Sequence, residues 1–282
     1  MYIATLVEDT INEEKKYLKS EHGLSLFINY NGKNILFDCG PSKTLIENSK
    51  KMNIDLSNID YVIISHGHFD HGGGIIPFLE INKKAKVFIH KSCNKNFYFK
   101  TESVKEHIGL NPDLFNKFSD RLVYTENDTV KVDENIFLIQ NIQLTKEITK
   151  NNESMLINCN DDFYKDDFEH EQVMLISDND NNYLFSGCSH KGIINITEDV
   201  KKEFNLKKID FFIGGLHLVD DPILRTAINT SDLNEVAQYL KSNIGTTYTC
   251  HCTGDEAYDY LKIDCKLNQK INYLRTGSEI NI

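Results

Sequence analysis

ISHGHFDHGGG, residues 64–74, places three histidines and an aspartate within six positions, with three glycines directly behind them. Buried imidazoles and carboxylates each need a polar partner, and a divalent metal ion satisfies several of them at once. His66 and His68 lie two positions apart on a segment that leaves a strand, so both imidazoles can face one ion. Asp70 and His71 follow about one turn later, on the far side of the same hollow. The spacing therefore predicts two neighbouring metal sites.

The residues on either side of this loop predict how it is held in the fold. YVIIS, residues 61–65, is a near-continuous apolar strand of the kind that is usually covered on both faces. Gly67 lets the backbone turn without a side-chain clash, and the run from Gly72 to Gly74 permits a close approach to the following helix. The alternative is a polar loop whose histidines bond to solvent or backbone, and it explains a lone histidine better than four matched ligands.

Hairpins alternate with helix–strand units along the rest of the chain. Asn31-Gly32 is the favoured two-residue turn between two strands, and QVMLIS and NYLFSG form a second hairpin around DNDNN. IINITEDVKKEF and DLNEVAQYLKSN read as helices, the latter with a predicted cap at Asp232 and Glu235 three positions on. This order predicts two packed β-rich halves with outer helices, in the α/β (α+β) class.

The domain organisation follows from the same reading. There is no low-complexity linker and no short-period repeat, so the sequence predicts one domain over residues 1–282. Residues 91–172 contain only short strand candidates between polar, acidic and aromatic segments. We interpret that stretch as a loop-rich insertion around a site.

Composition narrows the classes of partner. The formal net charge of -11 argues against the basic surface that nucleic-acid binding requires. No apolar run reaches the length of a membrane span, and no signal peptide is apparent, so we expect a cytoplasmic protein that acts on a small molecule. Seven cysteines without a disulfide spacing suit a reducing compartment. The oligomeric state does not follow from the sequence.

The histidine loop resembles the signature of the metallo-β-lactamase superfamily, His-x-His-x-Asp-His after a strand, and meets it in full. ILFDCG, which precedes the loop, and YLFSGCSH and TCHCTG, which follow it, resemble other motifs of the same superfamily, from Ile35 to Gly254. The resemblance implies a four-layer αββα sandwich of two mixed sheets with outer helices, and a metal hollow at one end between the sheets. It also implies one or two zinc ions, with iron or manganese as alternatives.

The remaining metal ligands are also implied by this resemblance. Cys188 stands where many members have an aspartate, and its thiolate would be a softer ligand; the alternative is a buried cysteine beside the site. His251 stands where the final metal histidine is expected. The usual histidine is missing from QLTKEIT, residues 143–149, so another imidazole is needed there. Three residues are candidates for it: His190 first, then His170 and His90.

Within the superfamily, the pattern EHGLS…FSGCSHKGIINI…GGLHL…HCTG is similar to the branch of 7,8-dihydropterin-6-yl-methyl-4-(β-D-ribofuranosyl)aminobenzene 5'-phosphate synthase. This likeness draws attention to His217, as a proton donor or phosphate ligand, and to Glu21 and His22 near a substrate. Asp38, at the end of an apolar strand, is predicted to orient a ligand histidine. His107, in a polar segment, is predicted to have no special role.

Together these features predict a metal-dependent hydrolase-type enzyme. A metal-bound hydroxide, oriented by Asp70, would attack a small, anionic substrate such as a phosphoester, a lactone or a pterin-like compound. One alternative is a dihydropterin synthase-like transferase that forms a C–N or C–C bond, with Arg225 contributing to a phosphate pocket. Another is a non-catalytic metal or redox protein that sequesters an ion with Cys250, Cys252 and their neighbours.

Overall fold

The computed structural model describes residues 1–146, 150–178, 181–221 and 226–282. The chain divides into two compact units. The first unit consists of Met1–Glu126, Ser154–His170 and Leu274–Ile282, and the second unit consists of Asn127–Glu153 and Glu171–Tyr273. Each unit contains one large sheet and the helices that pack on it.

The strands of the described residues are numbered in chain order. They are β1 (Tyr2–Val7), β2 (Ser25–Tyr30), β3 (Lys33–Phe37), β4 (Tyr61–Ile63), β5 (Lys86–His90), β6 (Asn96–Lys100), β7 (Lys105–His107), β8 (Leu122–Thr125), β9 (Val130–Asp133), β10 (Ile136–Ile139), β11 (Met155–Cys159), β12 (Asp162–Lys165), β13 (Val173–Ser177), β14 (Asn182–Ser186), β15 (Ile209–Gly214), β16 (Val219–Asp221), β17 (Thr226–Ala227), β18 (Ile244–Thr249), β19 (Ile271–Tyr273) and β20 (Glu279–Asn281).

The α-helices are α1 (Thr44–Lys51), α2 (Phe69–Gly72), α3 (Ile75–Ile81), α4 (Asp113–Lys117), α5 (Ile193–Glu203), α6 (Thr230–Asn243) and α7 (Asp255–Asp259). Short 3₁₀ turns include Lys91–Asn94 and His251–Thr253, and a π-turn over Tyr260–Asp264 continues α7. Within the described parts of the chain, no helix combines the length and the apolar character that crossing a membrane requires.

The first unit is built on a seven-stranded sheet in the order β20-β1-β2-β3-β4-β5-β8. β3, β4, β5 and β8 run parallel, and the strands on the other side of β3 are antiparallel. Leu45 of α1 and Phe78 of α3 pack on Leu36, Val62 and Val87 of the sheet in one buried cluster. Val62 and Ile63, which point to opposite faces of β4, are both fully buried, as predicted for this strand.

The second unit is built on a seven-stranded sheet in the order β19-β18-β15-β14-β13-β10-β9. β14, β15, β18 and β19 run parallel, and β13, β10 and β9 extend the sheet in antiparallel pairs. Ile196 of α5 and Leu240 of α6 pack on Leu184 and Phe212 of this sheet. The parallel strands bring the loops after β14, β15 and β18 to one edge of the sheet, because the carboxyl ends of adjacent parallel strands point the same way.

Both predicted hairpins are confirmed. Tyr30 pairs with Lys33 across a turn in which Asn31 and Gly32 have φ of 48° and 76°, as a type I′ turn requires. β13 and β14 pair in the second hairpin, although residues 179 and 180 of its turn lie outside the described residues.

Two details of the sequence interpretation differ from the structure. The stretch 91–172 contains seven strands, β6 to β12; four of them form a separate sheet in the order β12-β11-β6-β7, and β8, β9 and β10 join the large sheets. The cap of α6 is Asn229, whose side chain accepts a hydrogen bond from the N–H of Asp232. The predicted cap at Asp232 was wrong because the helix begins one residue after Asn229, at Thr230.

Candidate metal centre

The carboxyl ends of parallel strands carry the polar side chains of the first unit. Asp38 follows β3, the histidine loop follows the neighbouring strand β4, and His90 ends β5, the next strand along the sheet. Parallel neighbours end at the same edge, so residues far apart in the sequence meet there. Ligand sites in α/β sheets form at such edges.

Three histidines of the loop lie against one another. The ring of His66 is 4.6 Å from that of His68 and 4.2 Å from that of His71, measured between centroids. All three side chains are buried, and the Asp70 carboxylate lies 3.5 Å from Nε2 of His71. Burial lowers the pKa of His68, although the nearby carboxylates of Asp166 and Asp70 oppose this. A lowered pKa keeps the imidazole neutral, which is the form that binds metals.

Asp38 and Ser65 orient two of these imidazoles. The Asp38 carboxylate accepts hydrogen bonds from the Ser65 N–H and hydroxyl at 2.7 Å, and it lies 2.7 Å from Nδ1 of His71. Because the Ser65 hydroxyl donates to Asp38, its oxygen accepts from Nδ1 of His66 at 2.8 Å. Both imidazoles therefore carry their proton on Nδ1 and present Nε2 with its lone pair. This donor set fits a divalent metal ion, since ligand histidines usually bond through the other nitrogen to such a partner.

The histidine loop is braced by His170 and Asp166, a role that the sequence did not predict for either residue. The Gly67 N–H donates to Nδ1 of His170 at 2.9 Å, and Nε2 of His170 lies 3.0 Å from the Asp166 carboxylate. Both ring nitrogens of His170 thus have protein partners, so it is not the missing imidazole ligand. Asp166 also lies 3.9 Å from Nε2 of His68. The partners are about a hundred positions from the loop, and no local pattern signals the pairing.

Two glycines of the loop allow contacts that a side chain would block. A Cβ at Gly73 would lie 2.2 Å from the carbonyl oxygen of Pro41, and one at Gly74 would lie 2.3 Å from that of Cys39. These glycines therefore permit a close approach to the loop after β3, a contact that differs from the predicted approach to the following helix. Gly23, in EHGLS, has a φ of +143°, and a Cβ there would lie 2.1 Å from the Asp70 carbonyl oxygen.

The remaining candidates of the first unit have different surroundings. The largely exposed His22 lies 3.1 Å from the Asp9 carboxylate through Nδ1 and 3.7 Å from that of Asp70 through Nε2. Glu21 accepts a hydrogen bond from the Ser42 hydroxyl at 2.7 Å. His90 caps the turn Lys91–Asn94, because its Nδ1 accepts from the Ser92 N–H. His90, which was an alternative candidate for the missing imidazole ligand, is therefore explained as a cap.

The second unit repeats this placement with different donors. Cys188, His217 and His251 follow β14, β15 and β18, three neighbouring parallel strands. His217 and His251 both have a φ of 52°, in the left-handed region that costs residues other than glycine about 1–3 kcal/mol. Such strain is concentrated at functional sites, where the fold holds a side chain in a required direction.

Two groups of potential ligands overlap at Cys188. Donor atoms of Cys188, His190 and His217 lie within 4.8 Å of one another, and so do those of Cys188, His251 and Cys252. The rings of His190 and His217 are 4.2 Å apart. The first unit brings together His66, His68, Asp70 and His71. The second unit brings Cys188 together with His190 in one group and with His251 in the other.

His190 is held by two side chains. Nδ1 of His190 lies 3.1 Å from the Asn152 side-chain oxygen, and the Asn152 amide donates to the His190 carbonyl at 2.9 Å. The buried Glu171 carboxylate accepts from the N–H groups of His190 and Lys191. Nε2 of His190 therefore carries the lone pair. Neither Asn152 nor Glu171 was identified from the sequence, since both lie many positions from the motif they support.

Cys252 was considered from the sequence only as a ligand of a non-catalytic metal protein, and the structure places it beside Cys188 and His251. Burial raises the pKa of this thiol, but hydrogen bonds with Cys188 and His217 and the neighbouring imidazoles of His251 and His217 outweigh burial. The pKa of Cys252 consequently lies well below its ordinary value. The signal was present in the sequence, because HCTG places the cysteine beside His251. Arg225, considered as a phosphate ligand, lies outside the described residues.

The chain is similar to known proteins over most of its length. The model of the metallo-beta-lactamase superfamily matches residues 20–143. An uncharacterized protein of Methanocaldococcus jannaschii is 30% identical over 280 residues, which cover 96% of each chain. The 7,8-dihydropterin-6-methyl-4-(beta-D-ribofuranosyl)-aminobenzene-5'-phosphate synthase of the same organism is 32% identical over 273 residues, 90% of this chain and 88% of the synthase.

A solved structure has a similar fold over the whole chain. The crystal structure of Tm1679, described as a metal-dependent hydrolase of the β-lactamase superfamily, superposes with a TM-score of 0.79 at 26% sequence identity. It covers 100% of this chain and 99% of that one. The predicted fold class is thereby confirmed.

Proposed function

Because this chain belongs to the metallo-β-lactamase superfamily, we propose that it is a metal-dependent hydrolase of a small anionic substrate. The candidate substrates are phosphoesters, lactones and pterin-like compounds. One observation carries the proposal: the buried imidazoles of His66 and His71 are fixed through Nδ1 by Ser65 and Asp38, so that Nε2 is presented as a ligand. A histidine set oriented in this way is what a catalytic metal ion requires.

Zinc is the metal we expect, with one or two ions per chain. Zinc suits the imidazole donors of the first unit and the imidazole and thiolate donors of the second. Iron or manganese would also suit the donors of the first unit. When bound, a divalent ion lowers the pKa of a coordinated water and polarises a carbonyl or phosphoryl oxygen of the substrate. His66, His68, Asp70 and His71 would hold the ion of the first unit.

Residues around the ligands would position the substrate and move protons. Asp70, only 8% exposed and 3.5 Å from Nε2 of His71, can accept a hydrogen bond from the attacking nucleophile. We propose His217 as the proton donor to the leaving group, since it lies beside the second set of ligands. The net charge of -11 supports the absence of a nucleic-acid partner. We further propose a small-molecule substrate and a cytoplasmic location.

A synthase activity is the second candidate. It is favoured by the 32% identity to the dihydropterin synthase, which extends over 90% of this chain. In that reaction the aryl amine of the ribosyl aryl phosphate would displace a leaving group from the methyl carbon of the pterin, and a metal ion would assist this displacement instead of an attack by water. Activity assays separate the two reactions, because proteins of one fold carry out many different reactions.

The first experiment combines a determination of metal content with an activity assay. The wild type and the His66→Ala, His68→Ala double variant are purified without added metal, and the zinc, iron and manganese contents per chain are measured. We expect at least one equivalent in the wild type and a loss of at least one in the variant. Both proteins are then assayed with phosphoesters, lactones and the pterin and ribosyl aryl phosphate of the synthase reaction.

The outcomes separate the candidates. Hydrolysis by the wild type that disappears in the variant supports the hydrolase, and condensation of the two synthase substrates supports the synthase. An unchanged metal content in the variant would refute the assignment of the histidine loop as a metal site. A matched His107→Ala variant serves as the control, since His107 lies on an exposed strand against Tyr98.

A further inference from the structure

Two cysteines and a histidine form a compact group in the second unit. Sγ of Cys188, Sγ of Cys252 and a ring nitrogen of His251 lie within 4.8 Å of one another, and all three side chains are buried. Cys252 directly follows His251, after β18, and Cys188 follows β14 at the same end of the sheet. Buried thiols and an imidazole at such separations fit the first coordination sphere of one metal ion.

The backbone around this group is built to admit the second thiol. A Cβ at Gly215 would lie 2.5 Å from Sγ of Cys252 and 3.4 Å from Cα of Cys188, so only glycine leaves room for the cysteine there. The Gly215 N–H also donates to the Gly187 carbonyl at 2.8 Å, which ties the loop after β15 to the loop of Cys188. The close packing of three strand ends thus seats the Cys252 sulfur next to Cys188.

The two overlapping groups at Cys188 differ in their chemistry. The group with His190 and His217 supplies one thiolate, whereas the group with His251 and Cys252 supplies two. Soft thiolates select zinc, iron, cobalt or cadmium over magnesium, calcium and manganese. The two-thiolate group is therefore the stronger site for such an ion.

We propose that Cys252 is a metal ligand and that Cys188, Cys252 and His251 bind one soft or borderline divalent ion. On binding, each thiol releases its proton to solvent and the imidazole binds in its neutral form. Three protein ligands of the Cys₂His type leave a coordination position for water or substrate. The proposal rests on the proposed function only in that both require metal binding; it does not depend on hydrolysis.

The test counts thiolate ligands by spectroscopy. Metal-free full-length protein is loaded with Co²⁺ without oxygen, and the thiolate-to-cobalt charge-transfer absorption is measured per bound cobalt. We expect Cys252→Ser to lose about half of this absorption, since one of two thiolates is removed, and Cys188→Ser with Cys252→Ser to abolish it. Cys250→Ser is the matched control, because Cys250 is a buried neighbour of His251 outside this group.

Each outcome decides the proposal. Full absorption in Cys252→Ser at equal cobalt content would overturn it, and so would an equal loss in Cys250→Ser. If the serine variant does not fold, cadmium-113 NMR of the wild type gives the answer, because the shift separates one thiolate ligand from two. A thiolate signal that persists in the His66→Ala, His68→Ala variant, with no hydrolysis by the wild type, would refute the proposed function and leave this site intact.

Discussion

Replacing Asp38 by asparagine is expected to weaken metal binding at the histidine loop. The side chain keeps its shape, and asparagine tolerates the φ of 58° found at this position. One carboxylate oxygen accepts the Ser65 N–H, and the other faces the Ser65 hydroxyl and Nδ1 of His71, all at 2.7 Å. An amide has one accepting oxygen, so either of its orientations turns an N–H group toward a donor.

The size of the effect follows from these contacts. One oxygen takes part in one hydrogen bond and the other in two, each about 1.5–3 kcal/mol because the acceptor is charged. The free energy of unfolding therefore falls by about 1.5–3 kcal/mol when the amide oxygen faces Ser65 and His71, and by about 3–6 kcal/mol when the amide nitrogen faces them. Loss of the group that orients a ligand histidine reduces metal affinity roughly 10–100-fold. That factor corresponds to about 1.4–2.7 kcal/mol of binding free energy.

Zinc affinity is measured by competition with a chelator, and the free energy of unfolding of the metal-free protein by urea denaturation. Asp60→Asn is the matched control, since the Asp60 carboxylate also accepts a backbone N–H, that of Asn34, but lies at the opposite end of β4. An Asp38→Asn protein that binds zinc within twofold of the wild type would refute the orienting role.

Three further predictions concern stability. His170→Ala leaves the buried Gly67 N–H without its acceptor, and we expect a loss of about 1–3 kcal/mol in urea denaturation. Gly73→Ala drives a Cβ against the Pro41 carbonyl, and overpacking lowers the free energy of unfolding by about 1–3 kcal/mol. Burial raises the pKa of Asp60, but the Asn34 N–H and Lys84 outweigh it and lower that pKa. The ionised Asp60 carboxylate therefore stabilises the fold above its unfolded-state pKa, and this contribution is lost as the pH falls through the folded-state pKa. We expect the free energy of unfolding of Asp60→Asn to depend less on pH in the acid range than that of the wild type.

Controls for these variants are available in the chain. His107→Ala alters an exposed histidine on β7 and is expected to leave stability nearly unchanged. Gly32→Ala meets no atom within 4 Å, so it reports the cost of a positive φ alone. Gly73 has a φ of -62°, so its loss comes from the contact and not from the backbone conformation, and an unchanged free energy of unfolding in Gly73→Ala would contradict the steric explanation. An equal dependence on pH in the wild type and Asp60→Asn would contradict the acid prediction.

Local patterns in the sequence were sufficient to locate the histidine loop. An apolar strand, a matched set of ligands and three glycines lie within a dozen or so residues, and each has a direct physical meaning. The Asn31-Gly32 turn is similar, because only a few dipeptides adopt its two positive φ angles. In both cases the determining contacts are between residues close in the sequence.

The features that sequence reasoning missed depend on contacts between distant residues. His170 reaches the Gly67 N–H across 103 positions, and Asn152 reaches the His190 carbonyl across 38. The sheet formed by β6, β7, β11 and β12 pairs strands from both ends of the stretch that was interpreted as loops. Short amphipathic strands of this kind have little signal of their own, and their pairing is set by the partner strand.

The two units repeat one arrangement with different donors. Each has a hairpin, a helix and two further parallel strands, and in each an aspartate ties the starts of adjacent strands: Asp60 accepts from the Asn34 N–H, and Asp210 from the Asn182 N–H. At the carboxyl ends of the corresponding strands, Asp38 follows β3 and Cys188 follows β14. The supporting framework is thus the same, while carboxylate and imidazole in one unit are replaced by thiolate and imidazole in the other. On the proposal that both units bind metal ions, the side chains at the strand ends determine the metal preference, and we expect that exchanging a donor such as Cys252 changes the preferred ion without changing the fold.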